Sequence, residues 1–321
     1  MPCHRFPGCA VIARVTPDLN DMAPTEYAGP VPTDPLDDAY AVFASVRPRL
    51  FGIAYRMLGS ATEAEDILQE AWVKWQAYDR SVVENPAAFL ATMTTRLAIN
   101  LATSAHARHE TYIGPWLPEP VDTSADPALG AERGEALEFA VLLLLEKLSP
   151  VERAAYVLRQ AFDYPYPLIA EIIQKEEPAV RQLVSRARKH LAAERRTRAA
   201  APEQKRLLSA FLTAAQTGDL IALERLFTED IVSYSDGGGA ALAARIPVVG
   251  RGRVAKFVAA FSSHFWTDVD LRWVQANGQA GVELSRDSVP FTLLTVTASQ
   301  SGIDHLLWMM NPSKLSAVAA R

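Results

Sequence analysis

The sequence predicts a multidomain protein in which two all-α helical domains are followed by a C-terminal α+β domain. Apolar residues recur at helical spacing from residue 37 to residue 198. A proline-containing acidic stretch divides these helices into two groups. Beyond about residue 266, short runs rich in β-branched and aromatic residues alternate with turn residues, which is typical of strands. Helices followed by a run of strands indicate a separate α+β domain.

Length and composition limit the classes of protein that fit. The 321 residues suffice for two or three domains, and 49% of them are apolar. No apolar run reaches the roughly 18 residues of a membrane helix, so no membrane partner is expected. Cys3 and Cys9 are the only cysteines, which excludes a disulfide framework and favours a cytoplasmic location. We expect no metal and no cofactor, and we expect the proline-rich leader 1–36 to be disordered.

The first helical domain is expected at 37–110. Pro48 is predicted to break the first helix or to start a turn within it, and Gly59 to end that helix. The Thr62–Glu65 stretch has the T-x-x-E form of a capping box and predicts the second helix. Asn85 followed by Pro86 combines a cap with proline at the first helical position, which predicts the third.

A linker is expected at 111–135, and its "YIGPWLPEPV" stretch is unusual. Trp116 and Leu117 are large and apolar, yet Pro115, Pro118 and Pro120 surround them. Proline removes a backbone donor and fixes φ, so neither a helix nor a central strand is predicted here. The two apolar residues are interpreted as anchors for a docked surface, either the C-terminal domain or the second helical domain. The alternative is a semi-rigid spacer whose tryptophan lies in the nearest groove.

The second helical domain is expected at 136–198. Ser149–Glu152 joins a cap, a proline at the first helical position and a capping box, which predicts a helix start. Two short helices separated by "QKEEP" follow, and the second is basic on its outer face. From residue 181 to residue 198 there are seven Lys or Arg and one Asp or Glu. This pattern favours a DNA-binding helix-turn-helix.

The C-terminal domain, expected at 203–316, carries no basic footprint. Acids and bases from residue 199 onward number eleven each. Asp236 precedes three glycines, which predicts a tight turn. Asp236, His264 and His305 are candidates for acid–base chemistry, but none has a partner at a recognisable spacing. No catalytic residue is therefore assigned, and the protein is not expected to be an enzyme.

Several motifs resemble one family along nearly the whole chain after residue 37. "ATEAEDILQEAWVKW" (61–75) and "NPAAFLATMTTRLAIN" (85–100) resemble region 2 of the extracytoplasmic-function (ECF) sigma factors. The stretch from "LSPVERAAYVLRQAF" to "VRQLVSRARKHL" (148–191) is similar to their region 4. "WLPEP", "DGGG" and "NPSKL" resemble the motifs of the group with a SnoaL-like C-terminal extension. This resemblance implies that the C-terminal domain is a cone-shaped α+β barrel with a cavity.

The resemblance implies a transcription initiation factor. Its expected partners are core RNA polymerase, double-stranded promoter DNA and the opened non-template strand, with a small-molecule ligand in the C-terminal cavity left open. The fused C-terminal domain would modulate activity in place of a separate anti-sigma factor. The alternative is a small-molecule-sensing or enzymatic SnoaL-like domain tethered to a helix-turn-helix module. The region 2-like block favours the first interpretation, because a simple repressor has no use for it.

The resemblance also implies four groups of site residues. The face for core polymerase comprises Asp66, Gln69, Glu70 and Val73. The −10 element would be bound by Arg96, Asn100, Thr103 and Arg108. The −35 element would be bound by Arg181, Gln182, Ser185, Arg186, Arg188 and Lys189. The interdomain regulatory group comprises Trp116, Leu117, Pro118, Glu119, Pro120, Asp236, Gly237, Gly238, Gly239, Asn311, Pro312, Lys314 and Leu315.

The sequence departs from the family pattern at several of these places. His106 and His109 stand where relatives tend to have arginines, which weakens the expected attraction for phosphate. Gln174 stands in the helix-turn-helix break where glycine is usual, and we expect an altered promoter specificity. Ala240 follows the glycines where lysine is usual, and Ser313 stands where an acid is usual.

Overall fold

The structure, a computed structural model, describes residues 35–109, 112–122, 139–194 and 199–319. The predicted disordered leader lies outside the described residues apart from its last two. Within the described ranges, no helix combines the length and the apolar character needed to cross a membrane.

Three helices and one short 3-10 helix form the first helical domain. They are α1 (Pro35–Leu58), α2 (Ala61–Ala77), the 3-10 turn (Arg80–Val82) and α3 (Pro86–His109). The predicted break at Pro48 is wrong, since α1 runs through it. Phe43 before the proline and Leu50 and Ile53 after it are all buried in the same core. Packing on both sides therefore outweighs the roughly 3 kcal/mol that an internal proline costs.

The start of α2 differs from the predicted capping box. Ser60, not Thr62, is the N-cap, and its side chain accepts a hydrogen bond from the Glu63 N–H. Gly59 ends α1 as predicted, with φ at +64°. The Asn85 cap of α3 is confirmed, because its Oδ1 accepts the N–H of Ala88 at 3.0 Å.

The second helical domain contains the predicted helix-turn-helix. Its helices are α4 (Phe139–Leu145), α5 (Pro150–Ala161), α6 (Tyr166–Ile173) and α7 (Glu177–Glu194). Ser149 and Glu152 form the predicted capping box. Gln174 takes the left-handed conformation, with φ of 53°, that glycine usually supplies at the end of the first helix of this motif. Buried residues of both helical domains, such as Ile53 and Ile172, belong to one continuous core.

The C-terminal domain is α+β, as predicted. It begins with α8 (Ala201–Thr217), α9 (Leu220–Leu226), β1 (Phe227–Asp236) and β2 (Val248–Val249). It continues with α10 (Arg251–Ala260), α11 (Ser262–Phe265), β3 (Asp270–Ala276), β4 (Gln279–Arg286), β5 (Val289–Ser299), β6 (Gly302–Met309) and α12 (Pro312–Ala319). The strands form one six-stranded sheet in the order β2-β1-β6-β5-β4-β3, with β1 and β6 parallel. β2 and β3 are the end strands of this sheet. The strand pairings of the described residues therefore do not show the closed barrel that was expected.

The two faces of this sheet have different partners. Leu306 and Trp308 of β6 point into the core under α8 and α10. Because side chains alternate along a strand, Leu307 points to the other face. There it packs with Leu117 of the linker and Phe139 of α4. One face of the C-terminal sheet is therefore covered by the linker and by the first helix of the second helical domain.

Candidate interdomain and nucleic-acid interfaces

A buried ion pair at the end of β1 holds the linker backbone. Asp236 is 0% exposed, and its Oδ1 accepts the Tyr112 hydroxyl at 2.6 Å while its Oδ2 accepts the Leu117 N–H at 2.9 Å. Lys314 Nζ lies 2.8 Å from the same Oδ2 and donates to the Leu117 carbonyl at 2.5 Å. Asn311 Nδ2 donates to the Tyr112 hydroxyl oxygen at 2.8 Å. We refer to these five residues as the Asp236 cluster.

The sheet topology explains how two distant motifs meet at this cluster. In the parallel β1–β6 pair, Asp236 lies opposite Met309, and both strands end there. The Met310 N–H donates to the Asp236 carbonyl at 2.8 Å. The chain leaving β6 therefore passes beside Asp236, and the first turn of α12 places Lys314 next to it.

The Asp236–Lys314 pair at the centre of this cluster is buried. Burial lowers the pKa of the Lys314 ammonium group, and the Asp236 carboxylate acts in the opposite direction. Burial and the bond to Asp236 raise the pKa of the Tyr112 hydroxyl, which therefore stays protonated and donates. The Lys314 ammonium also lies 4.4 Å from the centre of the Trp116 ring and 5.2 Å from that of Tyr112. These aromatic faces stabilise a cation that is paired with a buried carboxylate.

Two glycines after Asp236 are required by both conformation and space. Gly238 and Gly239 have φ of +57° and +76°. A Cβ on Gly238 would collide with the Asn311 amide, and a Cβ on Gly239 would lie 2.9 Å from Ile113. The Asp236–Gly239 loop therefore fits tightly against both the linker and the start of α12.

Trp116 lies between the C-terminal domain and the first helical domain. Its ring is so close to Gly59, at the corner between α1 and α2, that a Cβ there would be 2.5 Å from the ring. The ring also contacts the Lys314 ammonium described above. Leu117 is 1% exposed and packs on the C-terminal sheet. The sequence predicted that these two residues dock on the C-terminal domain or the second helical domain. The contact of Trp116 with the first helical domain was not predicted.

Glu119 of the linker binds the same corner. Its N–H donates to the Gly59 carbonyl at 2.7 Å, and its Oε2 accepts the Thr62 N–H at 2.9 Å. A carboxylate at this point satisfies a free donor in the first turn of α2 and complements the helix dipole. Pro118 and Pro120 on either side of it are buried.

The two helical domains also contact each other directly through arginines. Arg153 of α5 is 5% exposed, donates to the Met57 carbonyl of α1 at 2.6 Å and pairs with Glu146 at 2.5 Å. Arg49 of α1 donates in the other direction, to the Phe162 carbonyl at 3.1 Å. In both cases a guanidinium group of one domain satisfies a backbone carbonyl at a helix end of the other.

Arg96, one of the residues predicted to bind the −10 element, is bound to the second helical domain. Its Nε and Nη2 donate to the carbonyls of Ile172 and Glu171, each at 3.0 Å, at the end of α6. Asn100 and Thr103 are exposed on the same helix. Arg108 falls within α3, but its side chain lies outside the described residues.

The predicted polymerase-binding residues share one exposed face of α2. Asp66, Gln69 and Glu70 are exposed, and Val73 is 61% exposed. Glu70 is paired with Lys74 one turn later at 3.3 Å. The face is therefore acidic around an exposed apolar side chain and is available to a partner.

The predicted −35 residues form the outer face of α7. All six are exposed, while Val180, Val184 and Ala187 of the same helix are buried. Arg181 is paired with Glu177 at 2.5 Å, and its guanidinium lies 4.3 Å from the centre of the Tyr166 ring. The predicted base contact of Arg181 would therefore compete with an ion pair within α7.

Two of the three acid–base candidates, Asp236 and His305, lie apart from each other. His305 Nδ1 lies 3.0 Å from Asp304 and 2.7 Å from the Thr297 hydroxyl. It is opposite Val232 in the sheet, four residues before Asp236, and this spacing corresponds to about 13 Å along a strand. Asp236 is instead engaged with the linker.

These features define a class of protein. The second helical domain has a helix-turn-helix with a basic outer face, and the first helical domain has an acidic, partly apolar face. The linker between them is fastened to an α+β domain. This combination is the one expected of a transcription initiation factor, a class of protein that contacts both promoter DNA and RNA polymerase.

Comparisons with known proteins identify the family. Residues 42–108 match the model of sigma-70 region 2, and residues 138–191 match that of sigma-70 region 4. Over 221 residues the chain is 37% identical to the ECF RNA polymerase sigma factor SigJ of Mycobacterium tuberculosis, covering 67% of this chain and 70% of that one. The probable ECF sigma factor SigI of the same species is 30% identical over 232 residues, covering 71% and 78%.

A solved structure agrees with the sequence matches. The crystal structure of M. tuberculosis SigJ superposes with a TM-score of 0.70 at 30% identity and covers 86% of this chain and 98% of that one. The chain therefore belongs to the ECF sigma factors of the sigma-70 family, which direct RNA polymerase to promoters and are not enzymes. The two helical domains are its regions 2 and 4.

Proposed function

We propose that the C-terminal domain is a SnoaL-like regulatory domain that controls this sigma factor by holding its linker. The observation that carries the proposal is the Asp236 cluster, in which a buried Asp–Lys pair binds both the N–H and the carbonyl of Leu117. A buried charge that loses its partner is costly. The contact therefore has two states: the linker is bound to the intact Asp236 cluster, or the cluster is opened to water and the linker is released. Such a two-state contact suits a domain that replaces a separate anti-sigma factor.

The seated linker favours a closed arrangement of regions 2 and 4. Trp116 and Glu119 fasten the corner of α1 and α2 to the C-terminal domain. Arg96, proposed to bind the −10 element, is occupied by carbonyls of region 4 in the same arrangement. Binding of the −10 strand therefore requires this contact to be broken, and the closed arrangement is the less active one.

The faces for polymerase and DNA are proposed from exposure and charge. The acidic face from Asp66 to Val73 would meet basic groups of core polymerase. Arg181 and Gln182 would read base edges of the −35 element, while Ser185, Arg186, Arg188 and Lys189 would hold its phosphates. Asn100, Thr103 and Arg108 would contact the opened −10 strand together with the released Arg96.

Run-off transcription with purified core polymerase tests the proposal. The template is a genomic fragment library from the source organism, and the proteins are the full-length chain, Asp236→Asn and the matched control Asp219→Asn. Asp219 is an exposed helix cap, a position at which asparagine serves equally well. We expect the same transcripts from all three, with higher yield only from Asp236→Asn. An unchanged or lower yield from Asp236→Asn would overturn the proposed inhibitory role.

A further inference from the structure

A second contact fastens the linker at its other end, and it joins region 2 directly to the C-terminal domain. Asn277 Nδ2 donates to the Tyr55 hydroxyl oxygen at 2.6 Å, and the Tyr55 hydroxyl donates to the Glu119 carbonyl at 2.6 Å. Asn277 also exchanges two hydrogen bonds with Val121, through Oδ1 at 2.8 Å and through its N–H at 2.9 Å. We refer to Tyr55, Glu119, Val121 and Asn277 as the hairpin clasp.

The turn between β3 and β4 supplies the geometry of the clasp. Ala276 pairs with Gln279, so the loop has only two residues, Asn277 and Gly278. Their φ values are 54° and 73°, which is the conformation of a tight hairpin turn that asparagine and glycine adopt most readily. The turn therefore projects a rigid asparagine from the edge of the sheet onto the linker.

Both ends of the clasp bond are inaccessible to water. Tyr55 and Asn277 are each 0% exposed, and the Tyr55 ring is stacked on Phe51 within α1. Burial raises the pKa of the Tyr55 hydroxyl, so it stays protonated as the donor that the Glu119 carbonyl requires. A buried polar group that loses its partner costs more than the bond itself contributes, so this junction resists partial opening.

We propose that the Tyr55–Asn277 hydrogen bond fixes the position of the C-terminal domain on region 2. The linker is then released only when the hairpin clasp and the Asp236 cluster both open. The inference rests on the proposed regulatory function and adds a contact outside the linker, glycine-loop and "NPSKL" motifs. Glu119 connects the clasp to the polymerase-binding helix, because the residue whose carbonyl binds Tyr55 also caps α2 through its carboxylate.

Hydrogen exchange of the full-length chain tests the clasp. Tyr55→Phe removes one hydroxyl and keeps the ring, and Asn277→Gly removes the side chain at a position where glycine adopts the required φ. Tyr164→Phe, at a buried tyrosine of region 4, is the matched control. We expect each clasp variant to speed exchange of the amides of residues 119, 121 and 277 by about tenfold, with the control unchanged. The double variant should speed exchange of the residue 119 amide by less than the product of the two single effects, because both changes break the Tyr55–Asn277 bond while each also removes a bond of its own.

The outcomes separate the clasp from the proposed function. Wild-type exchange in Tyr55→Phe, or effects that simply add in the double variant, would overturn the clasp. If Asp236→Asn still released the linker in that case, the regulatory function would stand without it. If the clasp has a regulatory role, its loss in Tyr55→Phe must also raise the yield of run-off transcription. If the hydroxyl is only structural, the transcript yield stays unchanged.

Discussion

The substitution Asp236→Asn is the sharpest perturbation of the interdomain contact, because it changes charge and one donor–acceptor position but not size. Asparagine can still accept the Leu117 N–H through its carbonyl oxygen, and its amide nitrogen can donate to the Tyr112 hydroxyl oxygen, which then loses its own acceptor. Lys314 loses its counter-charge while remaining 5% exposed. The variant therefore leaves a buried cation without its counter-charge in the closed arrangement.

The magnitude follows from the burial of the pair. Removing one partner of a buried ion pair costs about 3–5 kcal/mol. We take the lower end, because the Lys314 ammonium keeps its bond to the Leu117 carbonyl and its contact with the Trp116 ring. A loss of about 3 kcal/mol shifts the closed–open equilibrium by roughly a hundredfold.

Residue-resolved hydrogen exchange measures this shift at the Leu117 amide. We expect its exchange to accelerate by roughly a hundredfold in Asp236→Asn, while amides in the core of α1 keep their protection. Asp219→Asn should behave as the wild type. Equal exchange of the Leu117 amide in wild type and Asp236→Asn would refute the reasoning, because the buried pair would then not hold the linker.

The same variant has a predictable pH dependence. Burial already lowers the pKa of Lys314 in the wild type, and loss of the carboxylate removes an opposing effect. A folded-state pKa below the unfolded one means that the closed form binds fewer protons, so its stability rises with pH. We expect the exchange difference between Asp236→Asn and wild type to shrink as pH increases.

Three further predictions concern the faces for polymerase and DNA and the linker. Reversing Asp66 and Glu70 to Lys should weaken binding of core polymerase in a pull-down without loss of helix content by circular dichroism, because both side chains are exposed. Arg181→Ala should cost roughly 1–3 kcal/mol of binding free energy at one promoter position. Arg186→Ala should instead weaken binding to all promoters alike and flatten its salt dependence, as measured by fluorescence anisotropy. Equal losses on every promoter sequence for Arg181→Ala would contradict this orientation of α7. Trp116→Ala should shift the chain toward open arrangements and raise run-off transcription. If the Asp236–Gly239 loop and region 4 exchange hydrogen at the wild-type rate in this variant, the linker is only a spacer.

The sequence predicted the helix N-termini correctly where hydrogen bonds between neighbouring residues determine them. The Ser149 capping box and the Asn85 cap are set by side chains within a turn of the helix they start. Pro48 and Thr62 were misjudged because tertiary contacts decide there. Packing carries α1 through the proline, and the Thr62 N–H finds its acceptor in Glu119 of the linker.

The interdomain contacts were only partly visible in the sequence. The apolar Trp116 among prolines indicated a docked surface, and the family motifs pointed to Asp236 and Lys314. Tyr112 and Tyr55 gave no signal, because an isolated tyrosine in a linker or a helix has no pattern that reveals a partner more than a hundred residues away. Asn277 was predictable as a turn residue, but its bonds depend on how two domains and the linker are placed.

The distance between regions 2 and 4 in the free, full-length chain tests the central claim most directly. Spin labels at exposed positions of α2 and α7, such as Gln76 and Lys189, would be introduced after replacing Cys3 and Cys9 with serine. The account predicts one short distance distribution in the wild type and an additional longer population in Asp236→Asn. Identical distributions in the two proteins would contradict it, because the C-terminal domain would then not hold the sigma regions together.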